Sequence, residues 1–588
     1  MTSKISFFDA SLFRRALRRA LLPMAFFFLL WLFILPISIL RGAYSEAKQI
    51  SVVAQRILEF AHLNGSILAC FYGLATAWVI NFYLFRTPTA YYQASLPMRR
   101  ETVYVTNYLA GLSAYLIPAA LIALLSVGAC VLSTASAQVN ACLQWLCIGA
   151  LGYLFFFSFA FFLCVIVGHV AAMPVFYGVL NVAVIVLVLI VRFILSSFVY
   201  GLPESPAGMI RVAEWFSPVV YLLDSGVQVA VSVSSDNLSR VYFEGWPYLL
   251  AIAAAGLAFA VGGLFLYRVR HFEYSGDVIA TVPLRPVFVC LFTVGCALVI
   301  GMILMFLFDL NGSFADNAFW LTVFCVLFGA LLGFFLAQMM LQKTIKVFGQ
   351  KKLWLRFVIL AAALFAVMGA VKFDLFGYTS YVPDADSVSR VSLGSYHDGA
   401  FTDDPAFIDG VTKMHRRILR EARNVSDGDT VFSRISIEYT LKSGRTVSRE
   451  YDIIQNEQTL RGSVLEDFIE LFDDPDYLIL RSGLPSDVTA ADIEYCDVYK
   501  ITDGEWPETY LTGEQAYALY TEAILPDLQS SLLGRSDVGR FLSDAPDSAY
   551  DPCYEINIAL KDHQYYRFLI IRDAKQTRRF LSDLKLFR

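Results

Sequence analysis

The sequence has no G-x-x-x-x-G-K-[ST] loop, no H-E-x-x-H and no C-x-x-C. The first absence excludes the usual phosphate-cradling route to ATP hydrolysis within the chain, and the others exclude the common zinc and thiol motifs. Six histidines, His62, His169, His271, His397, His415 and His563, are scattered too widely to suggest a metal site. The acid pairs Asp403–Asp404 and Asp473–Asp474 give little support to a metal-dependent glycosyltransferase, because the second reads as a helix end entering the turn DDPDY. Charge is scarce as well, at 16% of residues against about 25% in soluble domains. The long apolar runs hold almost no ionisable residue, which argues against a proton or sodium relay at mid-membrane. Arg192 is the clear exception, and it lies close enough to the end of its run to snorkel. Asp309, Lys372 and Asp374 only flank runs, and Asn81, Asn107 and Asn181 fit helix packing.

What the chain does have is hydrocarbon. Hydrophobic residues make up 57% of 588, and mean hydropathy is +0.58. Charge divides the chain in two. Residues 1–376 hold 23 Lys and Arg against 14 Asp and Glu, while residues 377–588 hold 23 against 37. A basic membrane region is therefore followed by an acidic, water-soluble one.

Nine apolar stretches read as membrane-spanning helices: 21–40, 66–85, 107–132, 143–170, 174–198, 246–267, 287–308, 318–341 and 353–371. Each approaches the roughly 20 residues needed to cross a hydrocarbon core of about 30 Å. The first follows the basic stretch SLFRRALRRA and is too long for a signal h-region, so it reads as a retained anchor. With the N-terminus inside, Lys and Arg concentrate on the cytosolic loops, 16 against five outside, as the positive-inside rule requires. Nine crossings then put the C-terminal region outside, a parity that depends on the ninth.

Residues 91–109, YYQASLPMRRETVYVTNYL, join the second and third spans on the cytosolic side. Pro88 disfavours helix just before it, and Pro97 suits the first turn of a restarted helix. One reading is a basic loop meeting anionic headgroups. The other is a protein contact, in which Arg99 and Arg100 pair with carboxylates and Leu96, Met98 and Tyr104 bury an apolar face.

Several features together resemble the permease subunits of ABC-2-type ABC transporters, in the branch common in Gram-positive bacteria. These are the basic helix before the first span, the loop SLPMRRETVYVTNYLAG, and the segment LYRVRHFEYSGDVIATVPLRPVF after the sixth span. The resemblance covers roughly residues 1–375. It implies that the loop Ser95, Leu96, Pro97, Met98, Arg99, Arg100, Glu101 and Tyr104, with Tyr108 in step, is a coupling helix seated in a cleft of a separate ATPase subunit. It implies a second cytosolic loop carrying Arg268, Arg270, Glu273, Gly276 and Asp277. Arg14, Arg15, Arg18 and Arg19 would lie on an interfacial elbow helix, or could equally serve as plain lipid anchors.

On this resemblance the chain itself binds no cofactor, and ATP and magnesium belong to the ATPase partners. A second permease chain and the lipid bilayer complete the assembly, with no nucleic acid. The expected fold is a polytopic α-helical membrane protein with a C-terminal α+β domain. Residues 1–20 form the elbow and 21–267 a six-span unit. Residues 268–376 hold three further spans that depart from the six-span pattern and either carry the C-terminal domain outward or flank a path. Residues 377–588 form the outer domain. A transporter would move an amphipathic molecule such as a peptide or antibiotic at the cell envelope. The alternative is a sensor that binds a ligand outside and signals through its spans.

In the outer domain, DPAFIDGVTKMHRRILREARN has apolar residues at helical spacing. VFSRISIEYTLKSGRTVSREYDII and YEINIALKDHQYYRFLIIRD alternate as hairpins. LRGSVLEDFIELFDD, TGEQAYALYTEAILPDLQSSLL and AKQTRRFLSDLKLF read as helices, with Thr512 an N-cap and Pro526 a break. Eight cysteines lie in or beside spans and fit as small apolar residues. Cys496 and Cys553 form either a disulfide or two separate buried thiols. SDGDT at Asp427 reads as a turn.

Overall fold

The computed structural model describes residues 7–43, 55, 57–61, 65–132, 139–203, 207–223, 228–233, 239–308, 318–395, 399–421, 430–456, 462–485, 488–501, 508–530, 533, 551–561 and 564–584. The turn at Asp427 lies outside them. The chain divides into a helical unit, Met1–Phe198 with Ala207–Gly369, and a second unit, Val199–Pro206 with Ala370–Arg588.

Among the described residues, eight helices are long and apolar enough to cross a membrane, rather than the nine expected. The second expected span is a shorter helix, Gly65–Ile80, which tightens into a 3₁₀ turn at Phe82–Phe85. The first breaks in two, Leu21–Ile34 and Pro36–Ala43, because proline at 36 has no N–H to continue the ladder. The third begins at Arg100 rather than at 107 and runs to Leu132. Its 33 residues make about 50 Å of helix, so a turn or more extends past a bilayer core. The ninth expected span is the helix Lys351–Lys372.

Helix Val139–Ile166 forms the centre of the first six. Glycines let its neighbours reach its backbone: a Cβ on Gly73 would lie 2.8 Å from Phe157 N, and one on Gly256 2.8 Å from Phe155 Cα. Close backbone approach of this kind is how helices gain dispersion energy where water supplies no hydrophobic drive. Helices Arg285–Leu307 and Ala318–Gln342 form a similarly tight hairpin. Ile190 and Ile194 of helix Ala172–Ser196 join its core through Ala297, Val323 and Val326. The additional helices are thus packed on the fifth long segment of the bundle.

The second unit contains a feature absent from the sequence reading: two modules with one topology. In the first, β3 (Val388–Ser395) and short β4 (Phe401–Thr402) are followed by helix Pro405–Glu421. The hairpin β5 (Thr430–Leu441) and β6 (Thr446–Asn456) comes next, then helix Val464–Phe472. In the second, β7 (Ile493–Lys500) and β8 (Glu508–Leu511) precede helix Gly513–Leu519. The hairpin β9 (Pro552–Leu560) and β10 (Tyr565–Ile571) and helix Lys575–Asp583 follow. The antiparallel sheets run β4-β3-β5-β6 and β8-β7-β9-β10.

Their closing bonds match. Leu441 N donates to Arg445 O and Leu560 N to Gln564 O, both at 2.9 Å. Lys442 N donates to Ser387 O and Lys561 N to Asp492 O, also at 2.9 Å. Both central pairs carry an irregularity at the start of the first strand, Val388/Arg390 and Ile493/Tyr495. Alternation along β5 turns Ile435, Ile437 and Tyr439 inward onto Val411, Met414 and Ile418 of the helix.

Thr512 forms a capping box with Gln515. Pro526 does not end the helix as expected: the chain opens into a π-helical turn at Tyr520–Ile524 and continues helical through Leu525–Ser530. A wider turn just before a proline is one way to absorb its missing N–H. A further strand pair, β1 (Gln228–Val233) with β2 (Ser239–Glu244), was not foreseen.

Candidate functional site

Helix C-termini leave carbonyls without partners and carry a partial negative charge. At one end of the helical unit, arginines meet this need. Arg270 follows helix Trp246–Val269 and is 1% exposed. Its Nη1 donates to Cys164 O (2.6 Å) and Val165 O (2.8 Å) at the end of helix Val139–Ile166. Its Nη2 donates to Leu84 O (3.0 Å) in the 3₁₀ turn. Burial pushes the guanidinium down to about 10, so it stays charged at neutral pH.

Arg100 does the same for the next helix end. Its Nη1 donates to Arg268 O (2.7 Å) and Arg270 O (2.9 Å), and its guanidinium lies 5.1 Å over the Phe272 ring. Glu101 pairs with Arg268 at 3.1 Å. Asp277 bridges Arg285 (2.8 Å) and Lys343 (2.6 Å). Gly276 has φ +91° and donates its N–H to Gly168 O at 2.9 Å. A Cβ on Gly168 would sit 2.6 Å from Asp277 O, so both glycines are needed where the two segments cross.

These contacts bring together the segments that the distribution of Lys and Arg assigns to one side. Asp9 N meets Thr106 Oγ1 (3.2 Å), Thr87 Oγ1 meets Ser275 O (3.2 Å), and Lys343 meets Asp277. The helix Ala10–Arg19 buries Leu12 and Ala16 and leaves Arg14, Arg15, Arg18 and Arg19 exposed.

The expected coupling residues divide into two sets. A short helix, Thr87–Ala94, takes Pro88 into its first turn instead of being blocked by it. Pro97 lies in the following turn rather than in a helix, and the long helix restarts only at Arg100. Tyr91, Tyr92, Ser95, Pro97, Arg99 and Arg100 are exposed, while Leu96 and Met98 are half-buried. Tyr104 is buried, donating to Ala260 O at 2.7 Å, and so is not part of an outward apolar face. Tyr108 bonds Ser158 at 2.7 Å. Glu273 is exposed. Sequence reasoning placed Arg100 and Arg270 in the right loops but missed that both bond helix-end carbonyls, Arg270 from a buried position and Arg100 from an exposed one. The available signal was their position at or just past the ends of apolar runs.

The candidate disulfide is not formed. Cys496 on β7 pairs in register with Ile558, five positions along β9 from Cys553. At about 3.4 Å per residue that separation far exceeds disulfide reach. The close pair of thiols lies elsewhere: Cys130 and Cys142 Sγ are 3.7 Å apart.

Compared with known proteins, the chain matches no family model, no curated protein and no solved structure.

Proposed function

We propose that the chain is the membrane-embedded subunit of an ATP-driven transporter resembling the ABC-2 type. Its arginine-clamped end faces the cytosol and receives a separate ATPase subunit that holds ATP and magnesium. The observation that carries this reading is the short helix Thr87–Ala94 and its turn. The helix is tied to Ser275 by Thr87, and the turn runs into the 33-residue helix clamped by Arg100. A lever must be stiff to transmit force, and this one is fastened at both ends. It presents Tyr91, Tyr92, Pro97 and Arg99 outward, a mixed aromatic and cationic face suited to an acidic cleft.

Connectivity supports an outer C-terminal unit. That unit includes Val199–Pro206, after the helix Ala172–Ser196, as well as Ala370–Arg588. Between the starts of these stretches, among the described residues, lie four helices long and apolar enough to cross a membrane, an even number, as two exits on one side require. A second copy or a similar chain completes the transporter, which exports or handles an amphipathic molecule at the cell envelope.

One observation favours the alternative, a non-transporting sensor. Buried rings stack in the helical unit, Tyr115 on Tyr153 at 4.3 Å and Tyr153 on Phe157 at 5.4 Å. Tight packing of this kind suits a transport path that lies between chains rather than through one.

The test is co-purification of the detergent-solubilised chain with candidate ATPase subunits. Arg99→Glu is expected to release the ATPase while leaving the thermal melt unchanged. Arg100→Ala is expected to lower the melt, because it frees helix-end carbonyls. If no ATPase binds the wild type, or Arg99→Glu binds it equally well, the transporter reading fails.

A further inference from the structure

The two modules of the second unit differ at the junction between their helices. In the second, Asp527 reaches across and accepts from Gln576 N (3.2 Å) and Thr577 N (2.7 Å), which ties the two helices together. In the first, Arg417 bridges to Asp467 at 2.8 Å, and this pair lines an open groove of 730 Å³.

The apolar part of the groove's lining is Phe407, Met414, Leu471 and Leu480. Leu480 is 50% exposed there. The lining also carries the carboxylates of Asp404, Glu470, Asp474 and Asp476. Asp404 and Asp474 cap helices with their carboxylates. Among the described residues, Glu470 and Asp476 have no ion-pair partner, and both are exposed. The two cations at the groove are already engaged, Lys413 with Asp409 and Arg417 with Asp467 and Glu421.

The walls are rigid. Tyr477 OH accepts from Leu393 N (2.9 Å) and Ala400 N (3.1 Å), and its ring stacks on Phe407 at 4.3 Å. A preformed groove loses little entropy on binding.

We propose that this groove binds a cationic amphipathic peptide segment. The apolar face of the segment lies on Phe407, Met414, Leu471 and Leu480, and its Lys or Arg side chains lie against Glu470 and Asp476. Charge complementarity selects the occupant: a lining that combines unpaired carboxylates with apolar side chains disfavours anionic ligands, and a purely polar cation would leave the apolar part uncovered. The inference stands on the second unit alone and does not depend on ATPase docking.

The test uses the full-length chain in nanodiscs of zwitterionic lipid, with empty nanodiscs as the baseline. The probe is a fluorescein-labelled helical peptide of Lys and Leu, followed by anisotropy. Wild type is expected to bind above baseline. Glu470→Gln with Asp476→Asn is expected to weaken binding about tenfold, and Leu480→Ser is expected to weaken it separately. Both leave the capping carboxylates in place. A Lys/Ser peptide of equal charge is expected to bind much more weakly. Wild-type binding no greater than baseline overturns the proposal, as does undiminished affinity in the charge-neutral variant.

Discussion

The two modules of the C-terminal unit share strand order, hairpin closure and the irregularity that starts each sheet. They differ in what occupies the space between their helices. The second spends a buried carboxylate, Asp527, on capping its last helix. The first caps that helix locally with Ser463 and leaves Asp467 to a half-exposed ion pair. Backbone hydrogen bonding therefore sets the shared architecture, while a few side chains decide how the helices of each module are tied together.

The largest expected effect separates the two junctions. Asp527→Ala strands the buried N–H of Thr577 and the part-buried N–H of Gln576 and is expected to cost about 2 kcal/mol. Asp467→Ala removes a pair about one-third exposed and is expected to cost less than about 1 kcal/mol. Pulse proteolysis of the full chain in urea, reading fragments of the C-terminal unit, measures both. Equal losses would mean that the junctions are energetically alike and the comparison is wrong.

The next effect belongs to the first module alone. His415 is buried between Tyr439 OH (3.1 Å) and Tyr451 OH (2.7 Å), an arrangement that suits a neutral imidazole. Burial, helped by Arg449 and Arg416, pushes it down to about 3. As pH falls below about 6.5 the unfolded chain takes up this proton before the folded chain does. Stability is therefore expected to fall from about pH 6.5 toward pH 3, by about 2 kcal/mol at pH 5. The corresponding helix of the second module has no histidine. His415→Phe is expected to flatten the pH dependence, and a slope unchanged in that variant would rule out His415 as its source.

The smallest effect probes strand register. Mild oxidation with diamide is expected to link Cys130 to Cys142, whose sulfurs already touch, and to leave Cys496 and Cys553 separate. A Cys496–Cys553 crosslink found by peptide mass mapping would mean that β7 and β9 pair in another register than the one closed at Leu560 and Lys561.

Much of the architecture was legible in the sequence. Among the described residues, long apolar runs located the eight helices long enough to cross a membrane within a few residues, apart from the early start at Arg100, because hydrophobic length is a local property. The hairpins around Gly444 and before Tyr565, and the cap at Thr512, were legible for the same reason. The second expected span was overlong because hydropathy does not register the tightening at Asn81, where the α-helix gives way to a 3₁₀ turn. The repeat was hidden because its register is held by backbone groups, which place few demands on side-chain identity: VSRVSLGS and IEYCDVYK occupy equivalent strands.

For the candidate docking end, the sequence located the loops and their charge. Adjacent arginines, Arg99 and Arg100, look alike in one dimension. Only the fold turns Arg99 outward and Arg100 onto the carbonyls of Arg268 and Arg270.

By itself, the sequence determined a bundle of apolar helices, an acidic α+β region after it, and the absence of the usual ATP-binding loop, because composition and periodicity follow directly from the order of residues. The tertiary structure alone decided which helix ends are clamped by arginine, which thiols meet and which of two like modules keeps an open groove. Those outcomes depend on contacts between residues far apart in the chain, such as Arg270 with Leu84 and Asp527 with Thr577, which no local pattern encodes.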